Sequence, residues 1–186
     1  MRRVGGGLPV GPVRQIFREL PIVGFVQGDG DGWVLAADGS HFWGRHGAAG
    51  LLLRAPQPGG GAAVLLQYRA PWSHQGGTWA LPGGARDSHE TVEEAAVREA
   101  YEEAGLRAEQ LTVRTTVVTA IALGEVWTYT TVIADAPEQL ATVPNRESVE
   151  LRWVSEDEVA SLPLHPGFAA SWEQLRSVTA GIPLSS

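Results

Sequence analysis

Hydrophobic and polar positions divide the chain into a strand-rich first part, one sharply bounded helix, a long hairpin and a short helical end. Ala48 to Arg54 and Ala63 to Tyr68 are apolar runs of strand length, separated by the turn-forming Gly59-Gly60-Gly61. Ahead of them, Trp33-Val34-Leu35-Ala36 and His41-Phe42-Trp43 flank Asp38-Gly39, which predicts a small hairpin. Ile22 to Val26 is a further short strand, residues 70–78 read as a loop, and Trp79 to Leu81 as a short strand. A helix follows. Thr91 with Glu94 three residues on makes a capping box, and Val92, Ala95, Ala96 and Ala100 fall at helical spacing. Gly105 is the residue type that closes a helix in the left-handed conformation.

Beyond the helix, Leu111 to Leu123 and Glu125 to Ala134 are rich in Val, Thr, Ile and aromatics around Gly124, and predict a long hairpin. Pro137 to Arg146 is a loop and Glu150 to Val154 the last strand. Ser155 with Glu158 predicts a second capping box, opening a short helix that Pro163 ends. A final helix is expected from about Pro166 to Val178, with Phe168, Trp172 and Leu175 on one stripe, and the tail from Gly181 to Ser186 is expected to fray. No repeat and no linker between two cores is visible, so one mixed sheet between helices, an α/β (α+β) class, is the simplest layering. Residues 1–20, with Gly5-Gly6-Gly7 and two prolines, read as a flexible arm, 21–180 as a single domain and 181–186 as a tail.

Composition narrows this picture in three ways. A length of 186 residues suits one domain with a good core. The formal charge of −7 lacks the basic footprint of a sequence-independent nucleic-acid binder, so an anionic ligand would need a metal or a local Arg to approach. The absence of cysteine excludes disulfides, thiolate metal sites and Cys nucleophiles, and fits a reducing compartment. Val4 to Pro12 offers no apolar core for a signal peptide, and no apolar run approaches a membrane span. A cytoplasmic location with no membrane and no nucleic-acid partner is expected.

The helix carries the chemistry. Glu99, Glu102 and Glu103 stand at i, i+3 and i+4, so three carboxylates share one flank and repel. Glu-rich helix faces are commonly just solvated, but a hard cation such as Mg2+ or Mn2+ would relieve this conflict. Glu90 and Arg98, two turns apart, pair naturally as a charge-assisted clamp that supports the loop before the helix. Gly83-Gly84 lets the backbone come close to a ligand without Cβ interference, although an ordinary tight turn uses the same pair.

Taken together, Gly84, five residues, Glu90, seven residues and then Arg98-Glu99-Ala100-Tyr101-Glu102-Glu103-Ala104-Gly105-Leu106, preceded by Trp79-Ala80-Leu81-Pro82-Gly83, resembles the Nudix box of the Nudix hydrolase superfamily. Ala100 alone is smaller than the aliphatic residue more usual at its position. The resemblance implies a Nudix-type α/β/α sandwich with a mixed β-sheet between helices, and a MutT-like pyrophosphohydrolase. It implies Mg2+ (or Mn2+) held by Glu99, Glu102, Glu103 and a carbonyl at Gly83, with Gly84 beside the substrate. A further acidic ligand is expected before the last helical segment. Glu147 and Glu150 are the candidates, and Glu147, measured back from Trp153, is the choice. Glu99, Glu102, Glu103 and Glu147 are then the catalytic set, with Glu99 or Glu147 taking the proton. Arg69, at the end of a strand, matches a phosphate-contacting position in similar enzymes.

The implied reaction is hydrolysis of a nucleoside diphosphate linked to a further group, most simply a (deoxy)nucleoside triphosphate giving monophosphate plus pyrophosphate. ADP-ribose-like sugars are the alternative, although Ala120 stands where ADP-ribose enzymes carry Pro. Markers of diadenosine-polyphosphate, NADH and coenzyme A enzymes are absent, as is the Asn of some guanine-selective relatives near His165. Trp72, His74, Trp127 and Tyr129 are candidates to stack on a base, with core packing the default for each. A non-catalytic nucleotide sensor is the rival from another class, but every carboxylate of the box is kept. Monomer and homodimer both remain open, with the Trp33 to Trp43 hairpin a possible exchanged edge.

Overall fold

The computed structural model describes residues 28–185. The expected strand over Ile22 to Val26 and the expected arm over residues 1–20 lie outside the described residues. Strands β1 (Trp33–Leu35) and β2 (His41–Trp43) pair antiparallel around Asp38-Gly39, as the turn chemistry dictates. Strand β3 (Ala48–Pro56) is buried at all but its last residue, which is why its sequence reads as a continuous apolar run rather than an alternating one. Strand β4 (Ala62–Arg69) returns antiparallel to it through the three-glycine turn.

Past Val64 these two strands part, and the segment that enters the helix fills the gap. Strand β5 (Trp79–Ala80) pairs with Gln67 and Tyr68 of β4, and β6 (Gly83–Ala85) pairs with Ala48 to Gly50 of β3. Helix α1 (Val92–Ala104) then starts at the Thr91–Glu94 capping box and stops at Gly105, whose φ is 71°. Strands β7 (Thr112–Ala122) and β8 (Trp127–Asp135) form the long hairpin, and β8 runs parallel to β3 along its length. Strand β9 (Ser148–Ser155) pairs with β4, and helix α2 (Pro166–Ala180) closes the chain.

The result is one seven-stranded mixed sheet with the order β5-β4-β3-β8-β7, β6 and β9 joining β3 and β4. Side chains alternate across it. Leu51, Leu53, Leu65, Val132 and Ala134 pack with Ala95, Ala96, Ala100 and Ala104 of α1, whereas Leu52, Val64, Leu66 and Ile133 pack with Phe168, Trp172 and Leu175 of α2. Small alanines on α1 bring that helix close to the sheet, so the carboxylates on its flank end up beside backbone. That is the expected α/β/α layering.

Two sequence expectations are corrected. Ser155 opens no capping box: it is the last residue of β9, its Oγ accepts from Gln57 Nε2 at 3.3 Å, and only a single 3-10 turn, Val159–Ser161, follows. Nor does the C-terminal segment fray through residue 185. Arg54, buried on β3, donates to the carbonyls of Thr179 and Ile182 at 3.1 Å, and Asp135 Oδ2 accepts the Ser185 amide at 3.1 Å. A buried Arg54–Asp135 ion pair needs further partners, and the tail supplies acceptors for Arg54 Nη1 and a donor for Asp135 Oδ2.

Candidate active site

The site forms where the β5–β6 segment passes under the C-terminal half of α1. Glu103 is buried, and its Oε2 accepts the Gly83 amide at 2.8 Å. The pairing alternation accounts for this. Leu51 donates to the Pro82 carbonyl and Arg86 to the Gly47 carbonyl, so Gly84 lies in a mutually bonded pair with Ala49, while the amide and carbonyl of Gly83 turn outward. A Cβ at Gly84 would meet the Glu99 carboxylate at 2.5 Å, so glycine there makes the room that Glu99 occupies.

Arg98 organises the rest of the cluster. Its guanidinium donates to Glu90 Oε1 at 2.6 Å and Oε2 at 3.0 Å, to the Ala85 carbonyl at 2.9 Å and to Glu99 Oε1 at 2.8 Å. Glu102 lies 3.6 Å from the same guanidinium, on the exposed rim. The Arg98 hydrogen bonds hold Glu90 below the usual carboxylate range and raise Arg98 in turn. Glu90 also accepts the Asp87 amide at 3.0 Å, so the clamp anchors the loop as its spacing suggests.

Burial pushes the Glu99 carboxyl up to about 8, with the negative charge of Glu103 adding to it. Burial likewise pushes Glu103 up to about 7, against the pull of the Gly83 and Gln67 amides and of Arg69. Two sheltered carboxyls that resist ionising side by side, flanked by an outward carbonyl and two rim carboxylates, are a donor set that fits a hard divalent cation.

The remaining candidates fall on the same side of the sheet. Arg69, at the end of β4, donates to the His74 carbonyl at 3.0 Å, and its charge bears on Glu103, Tyr129, His74 and His165. A register shift between Tyr68 and Arg69 places Ser148 opposite Arg69, with its hydroxyl 2.7 Å from Gln67 Nε2. Glu147 is exposed just before it, and its charge also reaches Glu103. Glu150, by contrast, is engaged by Arg152 at 2.7 Å, and that guanidinium lies over Trp79.

Sequence reasoning passed over Gln67. A polar residue inside the apolar run of β4 was the available signal, since an amide is buried there only with a purpose. Among the base-stacking candidates, Trp127 is committed to the core, donating to the Gly44 carbonyl at 2.9 Å and packing on Phe42. Trp72 and His74 stay exposed, and His74 joins Trp33, His41 and His165 in a chain of ring contacts 5.0–6.5 Å apart. Burial lowers His165 to about 4, so it is a neutral imidazole. A second acidic group, Asp29, Asp87 and His89, braces the loop before α1: Asp29 accepts from Ser88 at 2.8 Å and Asp87 from the Gly30 amide at 2.7 Å.

Residues 44–176 match the model of the NUDIX domain. The chain belongs to the Nudix family. It is 70% identical over 163 residues to a Mycobacterium tuberculosis protein bearing the provisional name 8-oxo-dGTP diphosphatase 3, covering 86% of this chain and 75% of that one. The crystal structure of the M. smegmatis Nudix hydrolase RenU superposes with a TM-score of 0.81 at 77% identity, over 84% of this chain and 99% of that chain. A C. elegans Ap4A hydrolase shares the fold at 21% identity, with a TM-score of 0.60, over 73% of this chain and 99% of that one. This Nudix hydrolase carries Glu90 on the loop before α1 and Arg98 to Glu103 on α1 itself. No helix among its described residues is long and apolar enough to cross a membrane.

Proposed function

We propose that this hydrolase cleaves a nucleoside triphosphate to the monophosphate and pyrophosphate, using Mg2+ or Mn2+. The observation that carries the reading is the pair of sheltered carboxyls, half-buried Glu99 and buried Glu103, set against Gly83 and Gly84. Glu99, Glu102, Glu103, Glu147 and the Gly83 carbonyl would hold the cation. When bound, such an ion neutralises the pyrophosphate and makes a water easier to deprotonate.

The residues of the chain divide the remaining work. A carboxylate oxygen of Glu99 or Glu147 takes the proton of the attacking water. The water oxygen forms a bond to one phosphorus in line, and the bond to the leaving phosphate oxygen breaks. Arg69, whose charge bears on Glu103, steadies the charge that accumulates on those oxygens. Arg98 and Glu90 hold the loop so that the Gly83 carbonyl and the carboxylates stay in register. The name of the M. tuberculosis relative makes an oxidised purine deoxynucleoside triphosphate the first substrate to try.

The test is a release assay for phosphate and pyrophosphate with Mg2+ and with Mn2+. Its panel holds the normal and oxidised nucleoside triphosphates, ADP-ribose, NADH and diadenosine polyphosphates, with Glu103→Gln as control. Turnover of triphosphates that vanishes in the variant is the expected result. Turnover confined to ADP-ribose or NADH would overturn it, and so would silence from a folded protein that still binds nucleotide, which is what a sensor would give.

A further inference from the structure

Tyr129 stands on β8 opposite Ala48 of β3, and its ring reaches past Gly50 toward β6. A Cβ on Gly50 would overlap the Tyr129 hydroxyl, and a Cβ on Gly83 would lie 3.1 Å from that same oxygen. The hydroxyl therefore occupies a slot walled by two glycines of paired strands, one of them the glycine whose amide holds Glu103. The charges of Glu103, Arg69 and Glu99 all bear on this phenol.

The hydroxyl is held in place but not used. Thr119 Oγ1 donates to the Tyr129 carbonyl at 3.3 Å, and Thr119 is the extra residue where the β7–β8 register shifts, so strand curvature aims the ring. The phenolic O–H itself makes no hydrogen bond with any described residue, Glu99 and Glu103 included. Tyr129 is half-buried, and phenylalanine would fill the same space without offering a donor. The site thus keeps an O–H for an acceptor that arrives.

Resting on the pyrophosphatase reading above, we infer that the Tyr129 hydroxyl is a further substrate-binding group, donating a hydrogen bond to a non-bridging oxygen of the diphosphate between Gly83 and Arg69. A phenol is neutral at neutral pH, so it can approach phosphate oxygens beside two carboxylates without adding repulsion, where another acid could not.

Tyr129→Phe removes this one oxygen and keeps the ring. Four quantities are measured on variant and wild type: kcat/KM on the best triphosphate, affinity for Mn2+ alone, affinity for inorganic pyrophosphate with Mn2+ present, and Tm. The expected result is a fall in kcat/KM of about 10–100-fold, the range for a hydrogen bond to a charged group, with pyrophosphate binding about tenfold weaker. Mn2+ affinity and Tm stay at the wild-type values. A kcat/KM within about twofold of wild type overturns the inference. Mn2+ and pyrophosphate affinities falling together also overturn it, because the hydroxyl would then be acting on the carboxylates. Should the wild type cleave no triphosphate yet bind Mn2+-pyrophosphate more tightly than the variant, the pyrophosphatase reading fails and the Tyr129 contact stands.

Discussion

Glu103 Oε2 accepts the amide of Gly83 at 2.8 Å, a bond across twenty residues that ties the last turn of α1 to the strand beneath it. Glutamine at 103 keeps the shape and can still accept that amide, but it removes the charge. Glu103→Gln is expected to lower kcat by about 100-fold or more while leaving the circular dichroism spectrum unchanged. A variant retaining more than a tenth of wild-type turnover would show that Glu103 is no metal ligand.

Metal-free protein should lose stability as the pH rises. Burial lifts Glu99 to about 8 and Glu103 to about 7 in the fold, from an ordinary value of 4.5, so between about pH 4.5 and 8 the folded protein holds protons that the unfolded chain has released. A state that binds more protons when folded is weakened by their removal. Tm measured in chelator should therefore fall by several degrees from pH 5.5 to 8.5, and Mg2+ or Mn2+ should restore it at the upper end only. Glu103→Gln should flatten the chelator profile.

Lysine cannot replace Arg98. One guanidinium reaches both oxygens of Glu90, Glu99 and the Ala85 carbonyl, a fork that an ammonium cannot reproduce. Arg98→Lys is expected to weaken Mn2+ binding and kcat/KM by roughly 10–100-fold, the range for residues that orient metal ligands. Mn2+ titration of the variant checks this separately from turnover.

The tail clamp is expected to act on stability alone. Asp135→Asn leaves the buried Arg54 without its counter-charge and loosens Arg114 and Ser185. Breaking one partner of a buried pair costs roughly 3–5 kcal/mol, which corresponds to a Tm lower by about 10 °C. Activity per folded molecule at 25 °C should be unchanged, as assayed alongside a thermal melt.

The legible parts of the sequence are those where a local rule meets a single solution. Thr91, Glu94 and Gly105 bound α1 because caps act within a few residues, and the box spacing placed Glu90 under Arg98 for the same reason. What stayed hidden depends on residues far apart in sequence. Nothing near Ser155 reveals that Ala63 pairs with it and keeps it in a strand, so a plausible capping box came to nothing. Nothing near Gly181 reveals that Arg54 on β3 needs its neighbours' carbonyls. The surroundings of Glu147 depend on a register shift at Arg69, and the role of Gly50 on a ring five strands later in sequence order.

Strand β7 is an outer edge of the sheet, eleven residues long, with Val113, Val118 and Ile121 open to solvent. Long apolar edges are where one chain adds to another. Arg114 and Thr119 each stand as an extra residue in its ladder, and each breaks the row of groups that a neighbour would have to match. Deleting either residue would straighten the edge, and the first consequence would be seen in a concentrated sample standing overnight, as turbidity.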